Sequence, residues 1–162
     1  MLLNTASAVI RFVTTLEDET AVFYEQLAEK YPAGKETLLL FSKENRKNKV
    51  AVERAYYGVI TDALEACFSF KDGVDSNKYP VNTNLPEDAS YADAIKVALG
   101  IEESIQKYYV DTASLSEGLM ADVSIVFKIM SKKRANRILR ICLANQLQNP
   151  KESKTRKGTS PD

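Results

Sequence analysis

The chain has 162 residues and a mass of 18.1 kDa, with 44% hydrophobic and 27% charged residues. That is the profile of one globular domain, large enough to bury a core without disulfide or metal staples. Lys plus Arg and Asp plus Glu both number 22, so the net charge is zero and exerts no overall pull toward nucleic acid or an anionic membrane. Histidine is absent, which excludes Ser-His-Asp and Cys-His nucleophile systems and every metal site that needs an imidazole.

The first uninterrupted stretch covers roughly 5–31 and reads as a helix capped by Thr5 or Ser7. Ile10, Val13, Glu17, Thr20, Tyr24, Leu27 and Tyr31 share one face of it. KYPAGKET, with Pro32 and Gly34, breaks the chain. A second helix opens near Thr37 and runs to roughly 68, with Leu38, Phe41, Asn45, Asn48, Val52, Tyr56 and Val59 on one face. A long polar link follows, carrying Gly73, Pro80 and Pro86.

Ser90, followed by Asp93 at the third helical position, is a cap for a third helix over roughly 90–115. Its stripe is Ile95, Ala98, Glu102, Ile105 and Tyr109. Gly118 then separates a fourth helix, roughly 119–148, read with Val126, Ile129, Lys133, Asn136, Leu143 and Leu147 inward. Residues 149–162, including KESKTRKGTSPD, lack apolar content and read as a mobile polar tail. Short, long and short connections around four helices predict an all-α bundle over residues 1–148, with a long crossover between the second and third helices.

Cys67 and Cys142 lie in apolar surroundings (EACFSF and RICLAN) and read as reduced core residues. No apolar run reaches the roughly 20 residues of a membrane span, and MLLNTASAVIRF lacks the basic start of a signal peptide. The expected location is the cytoplasm, with no membrane association.

Each apolar stripe is interrupted near its middle by polar groups: Glu17, Asn45 with Asn48, Glu102, and Lys133 with Asn136. Burying an unpaired charge costs several kcal/mol, so these groups are expected to meet in one polar layer; the alternative has them rotated toward water. An internal repeat accompanies them. EDETAVFY (17–24) and EESIQKYY (102–109) share an acid at the first place and Tyr at the eighth, while NRKNKV (45–50) and KRANRI (133–138) share a basic spacer and an Asn. The ordered pair of matches fits a duplicated helical hairpin.

On these residues the sequence resembles the rubrerythrin branch of the ferritin-like superfamily. Glu17 through Tyr24 look like its first-helix motif and Glu102 through Tyr109 like the third-helix counterpart. The resemblance implies a ferritin-like four-helix bundle whose second and fourth helices carry Glu-x-x-His toward two metal ions. Here those positions read Asn45 and Asn48, and Lys133 and Asn136. Glu17 and Glu102 are then the remnant ligand positions. Glu44 lies about 100° away from Asn45 on the helix, which makes it a poor substitute. Lys133 is expected to pair with Glu17 and Glu102 in place of the metals. Tyr24 and Tyr109 are expected either to donate to the carboxylates or to be plain core aromatics.

The resemblance with its altered ligands implies a protein without catalytic residues, resident metal or cofactor. Such a protein would have lost di-iron oxidase or peroxidase chemistry and would act structurally or through a protein partner. The alternative is a carboxylate-bound divalent metal (Fe, Mn or Mg) at Glu17 and Glu102, as in a weak oxidoreductase or storage protein. A third reading is a binding module. The runs Lys43, Arg46, Lys47, Lys49 and Lys128, Lys132, Arg134, Arg137 would form a basic strip, if the second and fourth helices are neighbours, for an acidic partner or a phosphate-bearing ligand. The sequence does not encode an oligomeric state; the resemblance allows a homodimer, because ferritin-like proteins often dimerise, with Phe12, Tyr57 and Phe127 as candidate surface residues, and nucleic acid is not an expected partner.

Overall fold

The computed structural model describes residues 1–59 and 69–148, apart from the side chains of residues 71 and 145–148. Cys67, the stretch of the second helix expected to run to 68, and the polar tail at 149–162 lie outside the described residues. The described chain is mostly helical: β1 (Leu2–Thr5), α1 (Ala6–Lys30), α2 (Lys35–Val59), β2 (Ser69–Asp75), α3 (Tyr91–Ser116) and α4 (Ala121–Gln148).

The helix starts follow local chemistry. Thr5 Oγ1 accepts the Ala8 N–H at 3.1 Å, closing the first turn of α1. Ser90 and Asp93 form a reciprocal capping box at the start of α3. Between α1 and α2 the chain turns through a 3₁₀ step at Pro32–Gly34. The ring of Tyr91 packs so closely against Gly34 that a β-carbon there would fall 2.5 Å from its hydroxyl. A larger residue at position 34 would have to displace the Tyr91 ring.

α1 packs along α2 and α3 along α4, and α4 also meets α2. Cross-helix bonds give the sense of the packing. Tyr108, late in α3, donates to the carbonyl of Val9, early in α1, at 2.7 Å. At the other end Lys30 donates to the carbonyls of Pro86 and Glu87, just before α3, at 3.1 and 2.6 Å. α1 and α3 are therefore antiparallel. The core between the helices is built from Val9, Val13, Leu27, Leu38, Val52, Ala98, Ile105 and Phe127, all essentially inaccessible to water.

Among the described residues two strands accompany the helices, which the sequence pattern did not indicate. β1 and β2 pair antiparallel with Leu2 opposite Asp75, Leu3 opposite Val74 and Thr5 opposite Ser69, the register shifting between Leu3 and Thr5. Leu3, Phe70 and Val74 are buried beneath them. Gly73 turns the chain at φ +63°. The rest of the described link is strapped down by Tyr31 donating to the Ala89 carbonyl at 2.6 Å and Tyr79 donating to Asp111 Oδ2 at 2.8 Å.

Candidate functional site

The expected stripes of α1, α2 and α3 face the interior. Glu17, Thr20, Asn45, Asn48 and Glu102 are all buried, and Glu17, Asn45 and Glu102 have no accessible surface. On α4 the inward face differs from the expected one. It consists of Val123, Phe127, Met130, Arg134, Arg137 and Ile141, spaced four and three apart. Arg134 is 0% exposed and Arg137 3%.

The fork of Arg134 spans the two acids. Nη2 donates to Glu17 Oε2 at 2.6 Å and Nη1 to Glu102 Oε1 at 2.6 Å. Arg137 Nη1 adds a 3.0 Å bond to the same Glu102 oxygen and a 2.6 Å bond to Asn45 Oδ1, and its Nη2 reaches Glu44 Oε2 at 2.7 Å. Two guanidiniums thus neutralise two carboxylates in a space closed to water. A planar guanidinium suits this task because its donors diverge in a fixed fork. Arg137 also lies 4.7 Å from the centre of the Phe41 ring, which shields the charge from above.

Two tyrosines complete the layer with reciprocal geometry. Tyr24 of α1 donates to Glu102 Oε1 of α3 at 2.6 Å, and Tyr109 of α3 donates to Glu17 Oε1 of α1 at 2.7 Å. Each half of the internal repeat therefore supplies the hydroxyl that binds the other half's acid. Of the two roles expected for these tyrosines, the hydroxyls take that of donors to the carboxylates. On the α2 side, Asn45 Nδ2 donates to Thr20 Oγ1 at 2.8 Å, and that hydroxyl donates to the Leu16 carbonyl at 2.7 Å. Asn45 is thereby fixed with its oxygen toward Arg137.

Burial is the largest influence on Glu102 and raises its pKa, but the combined pull of Arg134, Arg137 and the Tyr24 bond outweighs it and holds the group below the ordinary 4.5. Burial, reinforced by the adjoining Glu102 charge, pushes Tyr24 well above 10, and burial with Glu17 does the same for Tyr109. Burial disfavours the charge on Arg134, and the attraction of Glu102 and Glu17 overcomes it, so its proton is held even more tightly than usual.

Two expected residues stand elsewhere. Lys133 is exposed and does not reach Glu17 or Glu102; its ammonium donates to Asn48 Oδ1 at 3.3 Å. Asn136 is also exposed, on the wall of an outer cleft. The correction is a single position on α4, or about 100° of rotation. The sequence concealed it because α4 is apolar on several faces, with Ile125, Ile129, Leu139 and Leu143 exposed. The unbroken spacing from Val123 to Ile141 is the available signal, masked because its two arginines, Arg134 and Arg137, look like surface charge. Glu44, set aside as a ligand, instead anchors Arg137. Phe127 is buried against the rings of Tyr108 and Tyr109 rather than available to a partner, Phe12 is half-buried against Tyr108, and Tyr57 alone of the three is exposed. Cys142 is half-buried with a free thiol.

A pair of iron ions does not fit these residues. Both oxygens of Glu17 and Oε1 of Glu102 already accept strong hydrogen bonds, and a divalent ion between the acids would lie against the buried guanidinium of Arg134. Among the described residues no group of three or more Asp, Glu or Cys side chains is placed to hold a metal ion. None of the described helices is long and apolar enough to cross a membrane. Comparison with protein-family models, curated proteins and solved structures finds no match to the chain.

Proposed function

We propose that the chain is a ferritin-like bundle of the rubrerythrin type in which two arginines stand where its relatives hold metal ions, and that it serves as a structural or interaction protein rather than an oxidase. The observation that carries this reading is the Arg134 fork bridging Glu17 and Glu102. Three further features support it. Arg134 and Arg137 on α4 have the same i, i+3 spacing as Asn45 and Asn48 on α2, the spacing of a Glu-x-x-His pair. The Tyr24–Glu102 and Tyr109–Glu17 bonds have the two-fold character of a duplicated hairpin. Finally, α1 is antiparallel to α3, so the link from the end of α2 to the start of α3 must travel the length of the bundle, as in a long crossover.

The chemical consequence is a permanent charge balance. A bound metal can change oxidation state or leave, whereas a guanidinium stays protonated and tethered. The layer then fixes helix register and supplies no redox centre or open coordination position. A carboxylate-bound metal at Glu17 and Glu102 would have to displace Arg134 first, which is the argument against that alternative.

Elemental analysis of protein purified without chelators, followed by calorimetric titration with Mn(II) and with Fe(II) under anaerobic conditions, tests the proposal. The expected result is metal far below one ion per chain and no saturable heat. Near-stoichiometric metal that is lost in Glu17→Gln and in Glu102→Gln would contradict it and restore the metal-binding reading.

A further inference from the structure

Outside the closed layer, α2 and α4 part to form a cleft of about 380 Å³ lined by Glu44, Lys47, Asn48, Lys133, Asn136, Arg137 and Arg140. Its volume falls in the range of about 300–1,000 Å³ occupied by small-molecule sites. Its charge is one-sided. Arg137 already serves Glu102 and Glu44. Lys47, Lys133 and Arg140 remain, and against them the wall offers Glu44 alone, 3.9 Å from Arg140. Neither Lys47 nor Lys133 has a carboxylate within ion-pair distance among the described residues.

A second observation lies at the edge of the same space. Asn48 is 1% exposed, and its Nδ2 has no hydrogen-bond partner among the described residues; neither has the Nε of Arg137. The Asn48 amide cannot be turned over to cure this, because its Oδ1 accepts from the Lys133 ammonium, and a flip would set donor against donor. A buried donor without an acceptor costs about 1–3 kcal/mol. Just behind the wall of a cleft with surplus positive charge, such a donor gains an acceptor if the side chain turns toward an anionic oxygen bound there.

From this geometry we infer that the cleft binds a small phosphate-bearing molecule, with Lys47, Lys133 and Arg140 supplying charge and the unpartnered Asn48 amide a donor close behind them. An extended polyanion fits less well. Three of the neighbouring cations that would prolong a basic strip are neutralised locally, Arg46 by Glu25, Lys49 by Asp18 and Lys128 by Glu117, which leaves Lys43 and Lys132 isolated on the outer faces. Arg134 has turned inward. The cleft therefore brings Lys47 and Lys133 together beside Arg140, whereas the strip on either side is broken by ion pairs. The inference does not depend on the ancestry of the bundle.

Calorimetric titration of the full chain at low ionic strength tests it, with inorganic phosphate and phenyl phosphate as ligands and benzoate as a carboxylate control. Saturable one-to-one binding of phosphate or its ester, with benzoate weaker, is expected; the stronger of the two phosphate ligands tells a free-phosphate site from a phosphoester site. The exposed pair Lys47→Ala/Lys133→Ala should weaken binding at least about tenfold, with helical content and cooperative unfolding retained. The pair Lys43→Ala/Lys132→Ala, outside the cleft, should leave it intact. Absence of binding up to about 10 mM ligand, equal binding of benzoate, or equal loss in both double variants would each overturn the inference. So would binding of an oligouridylate that outcompetes phenyl phosphate and falls equally in both pairs, because that is the behaviour of a diffuse nucleic-acid surface.

Discussion

Arg134 Nη2 lies 2.6 Å from Glu17 Oε2, and the two residues, 117 positions apart, join the last helix to the first with no accessible surface on either side chain. A bond of this length between fully desolvated charges ties α4 to α1 in one register, because a slip of one residue would turn either group away by about 100°. The second nitrogen of the same fork ties α4 to α3 through Glu102. One side chain thus closes the bundle across three helices.

Glu102 accepts from both arginines and from Tyr24, whereas Glu17 accepts from Arg134 and Tyr109. Replacing either acid by glutamine leaves buried positive charge uncompensated, which costs about 3–5 kcal/mol for a dry pair. Glu102→Gln is expected to lie at the upper end of that range and Glu17→Gln lower, because only Glu102 neutralises two guanidiniums. Urea unfolding of the two variants gives the order directly.

The tyrosine hydroxyls are separable from their rings. Tyr24→Phe and Tyr109→Phe keep the buried aromatic contacts with Phe41 and Phe127 but remove a hydrogen bond to a carboxylate, worth about 1.5–3 kcal/mol. Each variant should lose stability in that range without a change in helical content. Losses within about 0.5 kcal/mol, the level of ordinary surface substitutions, would reduce both residues to space-filling.

Stability should fall at both ends of the pH scale. The folded pKa of Glu102 lies below its ordinary 4.5, so its contribution is complete above that value and is lost as pH falls through the depressed one. Tyr24 and Tyr109 are raised above 10. Their contribution is complete below pH 10 and is lost as pH rises beyond it, when the unfolded chain releases protons that the folded one retains. Urea midpoints measured from pH 6 down to 3 should decline less steeply in Glu102→Gln than in the unaltered chain. A doubly phenylalanine-substituted chain should lose part of the alkaline decline.

The four helices, the Ser90 capping box and the inward faces of α1, α2 and α3 were legible in the sequence because caps and the 3.6-residue period are local signals. The polar layer was legible as a whole, since Glu17, Asn45 and Glu102 interrupt otherwise clear apolar stripes. Its cation was not. Period alone cannot choose a face on α4, where Ile129 and Leu143 are apolar yet exposed while Arg134 and Arg137 are charged yet buried. That choice depends on partners from other helices. The β1–β2 pair was hidden for a related reason: Leu2–Thr5 is four residues with one buried side chain, too short to show alternation, and it gains its hydrogen bonds from a segment over sixty positions away.

The strand pair yields its own prediction at Gly73. Its φ of +63° disfavours any other residue, and a β-carbon there would fall 2.4 Å from the Asn4 side chain and 2.6 Å from Leu2. Gly73→Ala is expected to cost more than about 1 kcal/mol and to increase amide exchange at Leu3 and Val74 ahead of the helices. Uniform exchange across the chain would argue that the pair does not open on its own.

Arg134, and not its neighbour Lys133, is the cation that joins α4 to α1 and α3, and urea unfolding of Arg134→Met beside Lys133→Met is the sharpest test of that. Methionine keeps the unbranched stem and deletes the charge in both. Arg134→Met should lose about 3–5 kcal/mol by stranding the buried Glu17 carboxylate and leaving Glu102 to Arg137 alone, while Lys133→Met, which forfeits one 3.3 Å bond to Asn48, should lose about 1 kcal/mol or less. The reverse order, or two variants as stable as the unaltered chain, would contradict the account.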